Sequence, residues 1–228
     1  MTASLRWLLA IDTATATIVV AAGSSEGALL AEEAFEGRYR HSQELLPAIA
    51  RLTERTGLRL PDLAGIVAGT GPGAFTGLRV GLATAKTLAH ELARPIVGVS
   101  SAEALLRAID GADALWLPSG ARDRVLVLPG AEPRVVRGDE DVAGDSFRKP
   151  IAVDLEDRAP DAALDLGRQA VVGLGASLLR LGAARLAAGE SDDPERLVPR
   201  YASPPRGVPL DPPSDQPDGG VAWSRDPR

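Results

Sequence analysis

The residues best suited to chemistry in this 228-residue chain follow its first apolar run, where an aspartate precedes two threonines. Residues 11–15 read Ile-Asp-Thr-Ala-Thr. An aspartate at a strand end can hold a metal-bound water while small residues and hydroxyls lie against phosphates, so Asp12 and Thr13 are candidates for a nucleotide site. The alternative is an Asx-type turn whose hydroxyls satisfy backbone donors. A matching second loop is missing, because residues 115–124 contain no aspartate before Arg122.

The glycine-rich stretch at residues 70–81, TGPGAFTGLRVG, is the second candidate. A Walker phosphate loop needs a lysine directly after its last glycine, but Leu78 stands there, and Gly-Lys-Ser/Thr occurs nowhere in the chain. Residues 69–74 fit a loose G-x-G-x-x-A spacing, yet Pro72 and the lack of an acidic residue closing a following strand argue against a dinucleotide loop. The alternative is a turn that passes close to a neighbouring element, with Thr76 capping the next helix.

The other usual catalytic sets are missing from the sequence. There are no cysteines, which excludes disulfides and thiolate chemistry, and the only histidines are His41 and His90. Leu45 stands where an H-x-x-x-H motif would place a second histidine, and two histidines alone do not hold a catalytic metal. No G-x-S-x-G elbow for a nucleophilic serine is present. We therefore expect no catalytic, cofactor-binding or metal-binding residues.

Composition and charge exclude further classes of function. The chain is 45% hydrophobic and 25% charged, with a formal net charge of −6, so it lacks the positive field that strong direct binding to nucleic acid requires. No run approaches the roughly 18 apolar residues of a membrane span. Only five uncharged residues separate Arg6 from Asp12, too few for a secretory signal. We expect a cytoplasmic protein with no membrane contact.

Hydrophobic periodicity predicts the elements that position these residues. The first half should hold an antiparallel meander, then alternating helices and strands that pair in parallel through right-handed crossovers. The predicted strands are residues 5–11, 17–22, 28–35, 65–73 and 95–100, and the predicted helices are residues 43–57, with Ser42 as N-cap and Gly57 as stop, and residues 76–93.

The second half repeats this pattern less clearly. Its predicted helices are residues 101–109 and 176–189, and its predicted strands are residues 114–120, 123–130, 133–138, 149–155 and 169–175. The repetition predicts two related lobes. We place an N-terminal lobe at residues 1–100, a smaller second lobe at 101–193 and a proline-rich segment at 194–228. Nine of the eighteen prolines lie in that last segment, which we expect to be extended or disordered, or to dock back through its Val-Ala-Trp sequence.

The helix after the glycine loop carries a stripe of small residues. Gly77, Gly81, Ala85 and Ala89 recur every four residues and are flanked by Leu78, Leu82, Leu88 and Leu92. Such a stripe permits close approach either to the chain's own sheet or to a partner helix. The residues alone favour the intramolecular case.

In their order and spacing, LLAIDTATATIVVAA, HSQELLPAIARLTERTG and GIVAGTGPGAFTGLRVGLATAKTLAHELARPIVGVSSAEAL resemble the TsaB (YeaZ) family. The loop GPGSFTGLRIG is that family's most specific signature, and here only Ala74 replaces its serine and Val80 its isoleucine. The likeness is close over residues 5–106 and weaker beyond. Of the Asp-Ala-Arg segment that usually begins the second lobe, Ala121 and Arg122 remain.

The resemblance implies an actin-like α/β fold with two lobes, related to Hsp70 and the sugar kinases, in which helices pack on mixed sheets. It also implies a non-catalytic scaffold in the synthesis of N6-threonylcarbamoyladenosine at position 37 of tRNAs that read ANN codons. Its partner would be a TsaD-type transferase carrying the H-x-x-x-H metal site. A TsaE-type ATPase would join the two, and tRNA would be contacted only through the complex.

The resemblance further implies that the first two helices of the N-terminal lobe form the partner surface, through which homodimers could also form. The interface residues carried over are Leu45, Leu46, Ile49, Leu52, Gly77, Leu78, Gly81, Leu82, Ala85, Leu88 and Ala89. The rival hypothesis is an ATPase or small-molecule kinase of the same superfamily that uses Asp12 and Thr13. An endopeptidase, the superfamily's older label, lacks both metal ligands and a nucleophile set here.

Overall fold

The structure, a computed structural model, describes residues 6–37, 41–138, 140 and 147–202. The predicted Val-Ala-Trp docking segment lies outside the described residues. A five-stranded sheet forms the first half, with the strand order β3-β2-β1-β4-β5. Its strands are β1 (Trp7–Asp12), β2 (Thr17–Ser24), β3 (Leu29–Glu36), β4 (Leu63–Gly69) and β5 (Ile96–Val99). The β1-β2-β3 meander is antiparallel and β4 and β5 add in parallel, which confirms the predicted pairing.

Five α-helices and one short 3-10 helix lie in the described residues. They are α1 (His41–Thr56), α2 (Phe75–Glu91), α3 (Ser101–Ala108), α4 (Asp161–Val172) and α5 (Leu174–Ala187), with the 3-10 turn at Leu60–Asp62 before β4. Because α1 begins at His41, the predicted N-cap Ser42 lies inside the helix instead. The α1 helix ends before Gly57, whose φ of +70° is readily adopted only by glycine, as the predicted stop requires.

The caps of α2 and α3 differ in kind. Ser100 caps α3, with its Oγ accepting a hydrogen bond from the Glu103 N–H at 3.3 Å. Ala74 occupies the N-cap position of α2 and offers no side-chain hydrogen bond. The prediction that Thr76 caps this helix is therefore wrong, because the helix begins at Phe75 and Thr76 already lies in its first turn.

The first sheet is covered on both faces. Successive side chains of a strand point to opposite faces, so Leu9 and Ile11 pack in one cluster with α1 and α2, while Leu8 and Ala10 pack in another with α3 and α5. All six residues of β1 are buried. This strand is thus the centre of the core, and Asp12 lies at its end.

A second sheet follows with the order β8-β7-β6-β9. Its strands are β6 (Ala114–Ser119), β7 (Asp123–Val127), β8 (Arg134–Val136) and β9 (Pro150–Ala152). Three antiparallel strands and one parallel strand repeat the order of the first sheet without its fifth strand. The molecule therefore has the two-lobed, actin-like α/β fold that the family resemblance implied.

The strand predicted at residues 169–175 is wrong. These residues form the end of α4 and the start of α5, which meet at Gly173. The β-branched Val171 and Val172 favoured a strand. The buried residues of this segment, which include Leu164 and Gly167, instead recur at helical spacing and lie together on one face of α4. Gly167 lets α4 lie against β9, because a Cβ there would overlap the carbonyl oxygen of Ala152.

The last helix returns to the first sheet. Leu178 and Leu179 of α5 are fully buried in the cluster that contains Leu8 and Val67. Since residues of the second half complete the core of the first, the lobe boundaries at residues 100 and 193 stay predictions. Among the described residues no single helix is long and apolar enough to cross a membrane; α4 and α5 meet that length and composition only as a pair, which is bent by 54°.

Residues 191–202 form an ordered C-terminal strap along β5. The Asp192 N–H donates to the Ile96 carbonyl oxygen at 2.8 Å, and Asp192 Oδ2 accepts from the Gly98 N–H at 2.6 Å. The guanidinium of Arg185 donates to both Asp192 oxygens at 3.0 Å and lowers the pKa of that carboxyl. Further on, the Arg200 N–H donates to the Thr70 carbonyl oxygen at 2.8 Å. The strap thus docks beside the glycine loop.

Candidate functional site

The predicted nucleotide site centres on Asp12, which the structure buries completely at the end of β1. Its Oδ1 accepts the Ala14 N–H at 2.9 Å, an Asx-type turn. Its Oδ2 accepts the Ser101 hydroxyl at 2.5 Å. Both carboxyl oxygens of Asp12 are therefore hydrogen-bonded within the chain. Of the two alternatives that the sequence left open, a nucleotide site and an Asx-type turn, this favours the turn.

Ser101 connects this carboxyl to the glycine loop. Its Oγ accepts the Gly71 N–H at 3.0 Å, and its own N–H donates to the Gly71 carbonyl oxygen at 3.0 Å. Gly71 has a φ of +94°, so the loop needs glycine at this position. The end of β1, the loop after β4 and the start of α3 are thereby held together at one buried point.

The turn after Asp12 lies directly against the glycine loop. Thr13 Oγ1 donates to the Gly77 carbonyl oxygen at 2.7 Å, and the Ala74 N–H donates to the Ala14 carbonyl oxygen at 2.7 Å. A Cβ on Gly81 would overlap Thr13 Oγ1. The small residue at that position is therefore what lets α2 approach the turn.

Burial raises the pKa of Asp12 above its ordinary value, and the hydrogen bonds from Ser101 and the Ala14 N–H oppose that effect. A carboxyl in this environment is less readily ionised than one in water. A carboxylate that holds a metal-bound water needs the opposite, an ionised group open to the ion. The described residues also include no group of three histidine, aspartate or glutamate side chains arranged to hold a metal.

The second lobe also reaches this turn. The Ala16 N–H donates to Asp154 Oδ2 at 2.7 Å, across 138 residues of sequence. The β6-β7 turn, where a second phosphate loop would lie, has its Gly120 and Ala121 carbonyl oxygens engaged by Arg158 at 3.2 Å. Clefts of about 880 and 840 Å³ lie instead along α3, α5 and the strap, and neither includes Asp12 or Thr13.

The structure places most of the predicted interface residues in the core of this chain, and the interface itself stays a prediction. Nine of the eleven are buried inside this chain: Leu45, Ile49, Leu52, Gly77, Leu78, Gly81, Leu82, Ala85 and Ala89. Their helices cover an apolar face of the first sheet, so the small-residue stripe serves the intramolecular packing that the residues alone favoured. Leu88 is half-buried, and only Leu46 is well exposed, at 56%.

The outer side of α1 and α2 remains open to solvent. It presents Leu46 on α1, together with Phe75, which is 37% exposed, and Arg79 on α2. His90 is exposed near the end of α2. Sequence reasoning missed Ser101, whose only signal was a serine pair before a helix, and Tyr201, which the proline-rich composition concealed.

Comparison with known proteins identifies relatives of this chain. Residues 32–175 match the family model described as TsaD: tRNA N6-adenosine threonylcarbamoyltransferase. The Bacillus subtilis tRNA threonylcarbamoyladenosine biosynthesis protein TsaB is 40% identical over 98 residues, which are 43% of this chain and 42% of that protein. The protein of the same name from Escherichia coli is 36% identical over 114 residues, 50% of this chain and 46% of that one. These matches span less than half the length of each relative.

A solved structure extends the likeness to the whole fold. YeaZ from Pseudomonas aeruginosa superposes with a TM-score of 0.63 at 25% identity, covering 86% of this chain and 100% of that one. The similarity therefore includes the second lobe, where the sequence match fades.

We expect Gly81→Ala to lower the free energy of unfolding by about 1–3 kcal/mol, because the added methyl group overlaps Thr13 Oγ1. Removing that oxygen with Thr13→Ala should make the two changes non-additive, with a coupling of about 0.5–3 kcal/mol in urea denaturation. Additive losses, or a Gly81→Ala protein as stable as wild type, would contradict the close approach.

We expect Asp12→Asn to gain stability relative to wild type as pH rises. Below the carboxyl's unfolded pKa both states are protonated. The pKa of Asp12 is higher in the folded than in the unfolded chain. Wild type therefore loses stability as pH rises from the unfolded pKa through the folded pKa, whereas asparagine at this position does not titrate. Denaturation at a series of pH values from about 3 to 8 measures the difference, with Asp110→Asn in an exposed turn as control. If the stability of Asp12→Asn relative to wild type instead fell as pH rose, the raised pKa of Asp12 would be contradicted.

Proposed function

Because this chain belongs to the TsaB (YeaZ) family, within the broader group that the threonylcarbamoyltransferase model describes, we propose that it is a non-catalytic scaffold. It binds a TsaD-type transferase and is required for N6-threonylcarbamoyladenosine formation at position 37 of tRNAs that read ANN codons. A TsaE-type ATPase joins the pair. The chain's net charge of −6 supports contact with tRNA through the complex instead of directly.

One observation carries the non-catalytic role: the Asp12 carboxyl is buried, with both oxygens bonded inside the chain. An actin-like ATPase would need that group ionised and accessible to a metal-bound water. The Gly77 carbonyl oxygen accepts from Thr13, so the threonine hydroxyl is also engaged. The fold is then a rigid frame that presents surfaces.

The partner surface in this proposal is the exposed side of α1 and α2, not their buried stripe. Helices that are fixed on a sheet by one face have only the other face to offer. Leu46 is the largest exposed apolar side chain on α1, and depletion of charge at an apolar centre is typical of protein interfaces. The same face would serve a homodimer when the transferase is absent.

We expect Leu46→Glu to weaken the complex with the TsaD-type protein of the same organism by at least about tenfold, because a charge replaces an apolar contact. Isothermal titration of the two purified proteins measures this, and modified nucleoside in tRNA from cells carrying each variant should fall in parallel.

Leu30→Glu is the matched control, since Leu30 is an exposed leucine, at 46%, that belongs to β3 and to neither helix. Its complex and its tRNA modification should equal those of wild type. Equal binding by the two variants would remove Leu46 from the interface, and absence of binding by wild type would refute the scaffold role.

We expect the isolated chain to show no heat of binding and no turnover with Mg-ATP, because the groups of the Asp12 turn are already bonded within the chain. Tight binding that is lost in Asp12→Asn would favour the ATPase or kinase instead.

A further inference from the structure

The side chains of Phe75, Arg79 and Tyr201 contact one another at the start of α2. We call these three residues the stacked cluster. The Arg79 guanidinium carbon lies 3.8 Å from the centroid of the Phe75 ring. Arg79 Nε donates to the Tyr201 hydroxyl at 3.0 Å. The two rings are 5.0 Å apart at 33°. The Arg79 guanidinium is thus held over the face of the Phe75 ring and, through its Nε, by the Tyr201 hydroxyl.

Arg79 forms no ion pair with any described residue. Other arginines, among them Arg51, Arg107 and Arg185, form ion pairs with carboxylates of this chain. Arg79 is exposed, and its one hydrogen bond among the described residues uses Nε. Its four Nη hydrogens stay available at the planar edge that pairs with carboxylates bidentately.

Resting on the scaffold role above, we propose that the stacked cluster is a docking point for a surface carboxylate of the transferase partner. A flexible arginine loses rotamer freedom on binding, but this one is oriented beforehand by Phe75 and Tyr201. A bidentate pair sets direction as well as attraction, so it fixes the register of the partner on α2. Phe75 supplies adjoining apolar surface, being 37% exposed.

The cluster also requires the C-terminal strap, because Tyr201 arrives from 122 residues beyond Arg79. The hydrogen bond from the Arg200 N–H to Thr70 holds the preceding residue at the glycine loop. The strap is therefore a third element of the docking face beside α1 and α2. Its tyrosine is a positioning residue, since it orients the guanidinium that meets the partner.

The test titrates the full-length chain with its organism's TsaD-type protein by isothermal titration at 50 and 200 mM salt. Arg79→Gln should raise Kd about 10- to 100-fold and reduce its salt dependence. Arg79→Lys should also weaken binding, because a lysine keeps the charge but not the bidentate edge. Tyr201→Phe keeps the ring and deletes one hydrogen bond, so its Kd should rise less than that of Arg79→Gln.

Arg107→Gln on α3 is the matched control, since it removes an exposed arginine of the same chain. Its Kd should be unchanged, and urea denaturation should show every variant folded, with losses of at most about 2 kcal/mol where a ring contact or hydrogen bond of the cluster is removed. Wild-type binding with an unaltered Kd in Arg79→Gln would overturn the docking point alone. Loss confined to a separate titration with tRNA would overturn it in favour of an RNA contact. No binding by wild type would overturn the scaffold role and the docking point together.

Discussion

The buried carboxyl of Asp12 is the constraint on which this architecture depends. A carboxyl removed from water is tolerated only with hydrogen-bonding partners, and those partners come from the turn that follows it and from Ser101 at the start of α3. Ser101 in turn holds Gly71. The first strand, the glycine loop and α3 are consequently placed by one polar contact inside an apolar core.

This contact also joins the two loops that follow β1 and β4. The loops that would approach phosphates instead approach one another, and Thr13 meets the backbone of α2 at Gly77. The polar groups of this turn, Asp12 and Thr13, are bonded within the chain. What remains available is the outer side of α1 and α2, together with the strap that ends beside them.

The sequence predicted much of the fold because its signals were local. Alternation and β-branched residues gave the meander, Gly57 marked the end of α1, and the small-residue stripe indicated close packing of α2. The strand expected at residues 169–175 was wrong because the two valines at 171 and 172 carried more weight than the spacing of buried residues along α4. The predicted interface residues are mostly buried against the first sheet, and the sequence could not separate the two uses of such a face, because an apolar helix face looks the same whether it meets a sheet or a partner. Ser101 and Tyr201 were missed because their contacts span 89 and 122 residues, and no local pattern encodes such distances.

The course of the strap has a topological consequence. Its hydrogen bonds to Ile96 and Thr70 fix the path of the chain from one edge of the first sheet to the start of α2. Because β5 is an edge strand of that sheet, the strap also covers backbone groups that would otherwise offer a template for pairing with another chain.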